Sequence, residues 1–344
     1  MAAVRQTHAI AVRAANPDEG RTIAGLWREL WDAHEAWGGY AGTRDARVYD
    51  QLAHRLEEDA RVRGGQPILG RHVHLVAAGD NGVIGQVEGW FERHGVDDST
   101  PFTCEVRSLI VSSQARERGA GRALLEGLAG VARQLSRGAP VVLAAEVLEP
   151  NPAHAFYGNV GYTPVSWTGR VVTEGAPAPS PYDPYVARVA TPNDALPIAL
   201  LDPALAARRR SQGDIRFDRP RAVDATFVGA LAAHLARPAA SDQSELVAVD
   251  HGGMVRASAS LTVMSLDPPF LPARRGLLGR FAVDPALDPR PLVGALVRLG
   301  RKLAFLRGAA TLELTDLDPP GSALHEGAMQ VGAGPWSRIV ERFA

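Results

Sequence analysis

The chain of 344 residues is 46% apolar and 22% charged, and its acidic and basic side chains nearly cancel to a formal net charge of −1. That composition belongs to a folded globular protein with room for two domains, and it excludes the basic surplus of a nucleic-acid binder. No apolar run reaches membrane-spanning length, Cys104 is the single cysteine and the start lacks signal-peptide order, so the expected setting is reducing and cytoplasmic, without a membrane partner.

In chain order, the apolar pattern predicts a short strand and then an amphipathic helix over 21–37, where Ile23, Leu26, Trp27, Leu30, Trp31 and His34 recur at helical spacing. The aromatic residues Trp27, Trp31, Trp37 and Tyr40 of this region form either plain core or the wall of a groove. Asp32 and Glu35, like Asp97 and Asp98 further on, are solvated surface charge or an attraction for a cationic amine. A second helix follows. Residues 75–84, LVAAGDNGVI, read as strand, tight polar turn and strand. Residues 104–111, CEVRSLIV, read as a buried strand, 122–135 as a helix and 141–147 as a strand. Residues 173–185, VTEGAPAPSPYDP, have linker composition and no apolar periodicity. Beyond them the order starts again, with LVAVDHGGMV at 246–255, a strand ending at Val283 and a helix over 291–306.

The recurrence keeps one offset. Leu75 and Leu246 are 171 residues apart, Val111 and Val283 are 172 apart, and Gly161 of YGNVGY lies 171 before Gly332 of AMQVGA. Three landmarks at one spacing point to a tandem duplication: a first copy over residues 1–172, a linker over 173–185 and a second copy over 186–344. The alternation of strands and helices implies an α/β fold of the α+β, mixed-sheet kind, with a central mixed sheet flanked by helices in each copy.

The stretch ARERGAGRALLEGL, residues 115–128, joins the strand ending at Val111 to the helix that follows. Strand, glycine turn and helix N-terminus is the order in which backbone N–H groups and the helix dipole converge on an anion. The spacing is neither that of a Walker loop nor that of a dinucleotide fingerprint. Arg116-x-x-Gly119-x-Gly121, followed later by Phe156-Tyr157-Gly158-Asn159-Val160-Gly161-Tyr162, resembles the two signatures of the GCN5-related N-acetyltransferase (GNAT) family. The resemblance covers roughly residues 8–172 and, more faintly, 185–344.

The resemblance implies the acyl-CoA N-acyltransferase fold in both copies, acetyl-CoA as co-substrate, no metal, and direct transfer of an acetyl group to an amine, expected to belong to a small molecule. The chain would be a monomer or a homodimer. Acyl-CoA contacts are implied for Leu109, Ile110 and Val111, for Arg116, Glu117, Arg118, Gly119, Ala120, Gly121 and Arg122, and for Asn151 and Phe156. A backbone N–H near Val111 would polarise the thioester carbonyl. Tyr157 is the candidate acid for the departing thiolate, or else a core tyrosine beside Phe156. Glu105 is the candidate base, eleven residues before Arg116, where some family members carry a catalytic Glu. Otherwise it pairs with Arg107 on the solvent face, because residues two apart in a strand share a side. The family's usual Asn falls at Pro150, which leaves Asn151 one residue late, and His154 is a helix-packing residue or a catalytic one. The alternatives to an N-acetyltransferase are a non-catalytic acyl-CoA sensor or scaffold, and an acyltransferase using another acyl chain or a hydroxyl acceptor.

Counted from Val283 as from Val111, Arg116 becomes Asp288, Gly119 Pro291, Gly121 Val293 and Glu105 Leu277; counted from Gly332 as from Gly161, Tyr157 becomes Ala328. Proline removes a donor, valine puts a branched side chain where phosphate must approach, and aspartate adds like charge. The second copy is therefore expected to be degenerate and non-catalytic.

Overall fold

The first copy starts with a strand, β1 (Ala11–Arg13), and a short 3-10 turn, Pro17–Glu19. Glu19 closes that turn in two directions. It accepts the Asn16 backbone N–H at 2.7 Å and holds the Arg13 guanidinium through both oxygens, at 2.8 and 2.5 Å. The turn launches α1 (Gly20–Ala36), which ends where Trp37, Gly38 and Gly39 fold back over its last carbonyls. Asp45 caps the next helix, α2 (Ala46–Arg63), by accepting the Arg47 N–H at 3.0 Å, and Gly64 stops it at φ +57°. This computed structural model describes residues 10–93, 102–175, 183–214, 217, 222–236 and 242–344. Asp97 and Asp98, and 176–182 of the expected linker, lie outside them.

The strands that follow are β2 (Ile68–Leu69), β3 (His72–Gly79), β4 (Gly82–Arg93), β5 (Phe102–Val111) and, after helix α3 (Ala120–Ser136), β6 (Val141–Leu148). They stand in the order β1-β3-β4-β5-β6, antiparallel except for the β5–β6 pair, with β2 beside β3. Alternation sorts their side chains. Val73, Leu75, Val87, Cys104 and Val106 pack on Leu124, Leu125 and Leu128 of α3, and burying each leucine contributes about 1.5–3 kcal/mol. Val76, on the other side of β3, packs with Ile23 and Trp31 of α1 and Leu52 and Leu56 of α2. A short helix, α4 (Ala153–Asn159), follows β6.

One irregularity in β5 matters for the site. Gln86 of β4 pairs with Ile110 but Glu88 pairs with Arg107, so one residue of β4 faces two of β5, and Ser108 takes φ +52°. The pairing of β5 with β6 stops at Val106 with Ala145, and residues 107–111 leave their parallel neighbour.

The second set of elements comprises β7 (Thr163–Val172), β8 (Val186–Val189), α5 (Ala195–Ser211), α6 (Ala225–Ala236), β9 (Gln243–Val249), β10 (Val255–Ser265), β11 (Arg274–Val283), α7 (Pro289–Leu306), β12 (Thr311–Leu317), α8 (Ala323–Gln330) and β13 (Gly334–Phe343). The order β7-β12-β11-β10-β9-β8 repeats the plan, with β11–β12 as the parallel pair. Duplication extends to backbone detail. Arg280 takes φ +55° at the position of Ser108, and Gly332 takes φ +89° where Gly161 takes +87°. The entry turn recurs as well. Asp194 accepts Thr191 N at 2.7 Å and Arg188 at 2.7 and 2.8 Å, as Glu19 does Asn16 and Arg13. The fold is thus mixed α/β, with the same mixed strand arrangement flanked by helices recurring in tandem.

The chain forms two compact units that do not divide at residue 172. The first holds residues up to Thr163 with Pro268–Leu271 and Val340–Ala344; the second holds Pro164–Asp267 and Pro272–Ile339. Strand β7, which closes the first sequence copy, counts with the second unit, where Val172 pairs with Thr311. The last residues of the chain count with the first unit, where Ala344 N donates to Val141 O at 2.9 Å. Sequence offsets record which segments descend from which copy, whereas hydrogen bonding decides where each strand packs. Among the described residues no helix is long and apolar enough to cross a membrane.

Candidate active site

Where β5 leaves β6, the first unit opens a cavity of about 780 Å³. Leu109, Ile110 and Val111 line it from β5, Asn151, Phe156 and Tyr157 from α4 and the turn before it, and Arg116, Glu117, Gly119, Ala120, Gly121 and Arg122 from the loop and first turn of α3. Twelve of the fourteen residues expected from the sequence therefore meet in one place.

The loop is shaped to present N–H groups. Glu117 and Gly119 take φ +65° and +87°, and α3 starts with no side-chain cap; its first intrahelical bond runs from Ala123 N to Gly119 O, 3.0 Å. The N–H groups ahead of that bond have no partner within the helix, so an anion there meets converging donors and the positive end of the dipole. Two arginines flank the turn. Arg116 lies folded back, with Nε on Val111 O and a terminal nitrogen on Glu29 Oε1, both 3.3 Å; Arg122 donates to Asn159 O at 3.3 Å. The donor set and the slot suit the pyrophosphate and pantetheine of an acyl-CoA. Asn151 is committed differently: its Oδ1 accepts Ala153 N at 2.9 Å at the entry to α4.

Tyr157 is buried against Phe156 and Tyr162, with ring centroids 5.4 and 5.1 Å away, yet it still lines the cavity. Burial pushes its phenol well above the usual tyrosine range, so the group stays a proton donor. The turn after it is secured by Arg342, which donates to Val160 O at 2.9 Å and to Glu126 at 2.8 Å and lies over the Tyr162 ring.

Two expected residues do not line the cavity. Arg118 projects from the loop into solvent. Glu105 is paired with Arg107 at 2.6 Å and nearly half exposed, and Arg107 in turn lies over Trp90. The physical reason is strand geometry. Residues 105 and 107 share a face with Trp90 and Glu88, while the cavity forms from Val106 and from the residues at and beyond the bulge. Of the two readings of Glu105, this geometry matches the solvent-face ion pair with Arg107. His154 bonds Leu148 O through Nε2 at 2.9 Å, a packing role.

Helix α1 supplies a wall that motif matching missed. Glu29, Leu30, Ala33, His34 and Trp37 line the cavity from one helical face. Helical spacing was the available signal, since these positions are three and four apart. Trp27 and Trp31 instead pack inward with Tyr49 and Phe270, and Asp32 and Glu35 are both engaged by Arg44.

The corresponding places in the second unit are filled from within. Asp288 caps α7 by accepting Arg290 N at 3.0 Å, so a side-chain carboxylate sits where an anion would bind. Helix α7 also starts at Pro289, three residues before the counterpart of Ala120, which leaves Pro291 and Val293 inside its first turns. The β11 bulge persists, but Asp316 reaches Arg280 N at 3.4 Å, and Arg208 donates to Phe281 O at 2.6 Å. Ala328, in the place of Tyr157, is fully buried.

The acetyltransferase (GNAT) family model matches residues 26–162. Residues 26–162 of the first copy thus form a GNAT-family domain, and the activity such a domain supports is acyl-CoA-dependent N-acyl transfer. A GCN5-related N-acetyltransferase from Sphaerobacter thermophilus has a similar structure, with a TM-score of 0.56 at 18% identity over 97% of this chain and 95% of that one. The GCN5-related glucosamine N-acetyltransferase region of a fungal multi-domain GH3 β-N-acetylglucosaminidase gives 0.53 at 14% identity, over 97% of this chain and 38% of that one. A tandem GNAT protein from the clavulanic acid biosynthesis pathway covers 98% of both chains at 17% identity, with a TM-score of 0.46. No curated protein matches the chain.

Proposed function

We propose that the protein is an acetyl-CoA-dependent N-acetyltransferase for the amine of a small molecule, working from its first copy alone. The observation that carries this reading is the uncapped, left-handed entry to α3, opening on a cavity that also holds Tyr157. The N–H groups of 119–122, with Arg116 and Arg122, would hold the pyrophosphate, and residues 109–111 the pantetheine. The Val111 N–H would polarise the thioester carbonyl, and Tyr157 would return a proton to the sulfur. The capped α7 and the occupied β11 bulge support a non-catalytic second copy.

Calorimetric titration with acetyl-CoA tests both parts. One site per chain is expected, and it should vanish in Gly119→Pro, because proline cannot reach φ +87°. Two sites would refute the single working copy, and none would refute the transferase.

A further inference from the structure

An N-acyltransferase must remove a proton from an acceptor that is an ammonium ion at neutral pH, and Glu105 lies outside the cavity. The charged and titratable groups facing the cavity are few. Arg116 and Arg122 accept no proton, and Tyr157 is held protonated by burial. Glu29 already accepts Ser113 N at 2.9 Å and the Arg116 guanidinium. Glu117 lies in the anion turn, and Glu146 is exposed on β6. That leaves His34, on the cavity face of α1, half-buried, one turn before Trp37, with ring centroids 5.7 Å apart. Its backbone is fixed by Gly39 N and Trp37 N, which donate to His34 O at 2.7 and 3.1 Å. Burial holds its imidazole below the usual histidine range, so at neutral pH it is the uncharged form, able to accept.

We propose that His34 is the general base of the first unit, taking the proton of an acceptor ammonium directly or through one water, with Trp37 and Leu30 as the apolar flank of the acceptor. This rests on the acyltransferase reading above. The step balances as follows. An imidazole nitrogen takes one ammonium proton and passes it to solvent. The freed nitrogen lone pair forms the C–N bond at the thioester carbon, and the C–S bond breaks with its electron pair leaving on sulfur. The second proton shed by the nitrogen is matched by the proton gained by the thiolate, so ammonium and thioester yield amide, thiol and one proton.

The test compares two amines in the intact protein, with CoA release as the readout. Phenethylamine is an ammonium ion at neutral pH; hydroxylamine is already uncharged there and has no need of a base. His34→Gln should lose about 10²-fold or more in kcat/KM for phenethylamine at pH 7 while staying within about threefold for hydroxylamine. The loss should shrink as pH rises toward the amine's own ionisation. In the wild type, activity with phenethylamine should rise with pH through a midpoint below the ordinary histidine value of about 6.5. Glu146→Gln should keep that limb. Equal losses for both amines, wild-type rates for both, or a limb abolished by Glu146→Gln would each overturn the assignment to His34. Wild-type protein that binds acetyl-CoA but releases no CoA to either amine would instead overturn the transferase itself, and the assignment with it.

Discussion

Gly119 and Gly121 lie two residues apart and are needed for different reasons. A side chain at Gly119 would meet nothing within 4 Å; its constraint is φ +87°. A Cβ at Gly121 would stand 3.1 Å from the Phe156 ring, so there the constraint is space. Gly119→Ala should strain the turn by about 1–2 kcal/mol and weaken acetyl-CoA roughly five- to thirtyfold by calorimetry. Tyr157→Phe should leave that affinity within about twofold and cut kcat by about 10²-fold. Because burial keeps the Tyr157 phenol protonated, kcat should show no alkaline decline below about pH 10. Both motifs were legible in the sequence because each places special residues at fixed spacing. The base was not. Glu105 sits at a familiar distance from Arg116, but which face it occupies depends on pairing with Trp90 and Arg107, and that is long-range information. His34 carries no motif at all and becomes visible only when α1 is laid against the cavity.

Among the elements, α3 and α7 show how one repeat leaves its helix terminus uncapped and the other closes it. Asp288→Ala should cost the second unit about 1 kcal/mol in a denaturant melt, through loss of the cap, without creating an acetyl-CoA site. The entry turns carry a larger electrostatic share. Arg188, then the Thr191 N–H and hydroxyl, hold the Asp194 carboxyl down to about 2, against burial that opposes them. A folded value below the unfolded one of about 3.9 stabilises above that pH, and the contribution disappears as pH falls toward 2. Asp194→Asn should therefore destabilise by about 2 kcal/mol at pH 7 and by almost nothing at pH 2, read from denaturant midpoints. Periodicity revealed the helices and the repeat, whereas the β5 bulge left no trace, since CEVRSLIV reads as an unbroken strand. The repeated turn, Ala-x-Pro-x-acid, was present at an offset of 175 residues, outside the 171–172 of the other landmarks.

For the whole molecule, the compact units and the sequence copies are not the same sets of residues. Arg342 lies 185 positions after Tyr157, yet it secures the turn that follows that tyrosine. Removing residues 340–344 should lower the melting temperature of the first unit and abolish its acetyl-CoA heat, although no residue of the anion loop is touched. Full acetyl-CoA binding by the truncated chain would refute a structural role for the last strand residues. The duplication itself was legible from three landmarks, but this allocation of strands was not, because both copies offer the same closing strand to either sheet.

The allocation has a consequence for how the protein is made. Residues 340–344 are synthesised more than 200 residues after the Gly119 loop, so a ribosome that has long finished that loop still holds back part of the unit that contains it. At ordinary elongation rates, translating the intervening span takes on the order of ten seconds or more. Throughout that interval the first unit waits unfinished, and it is completed only after the second unit has been translated.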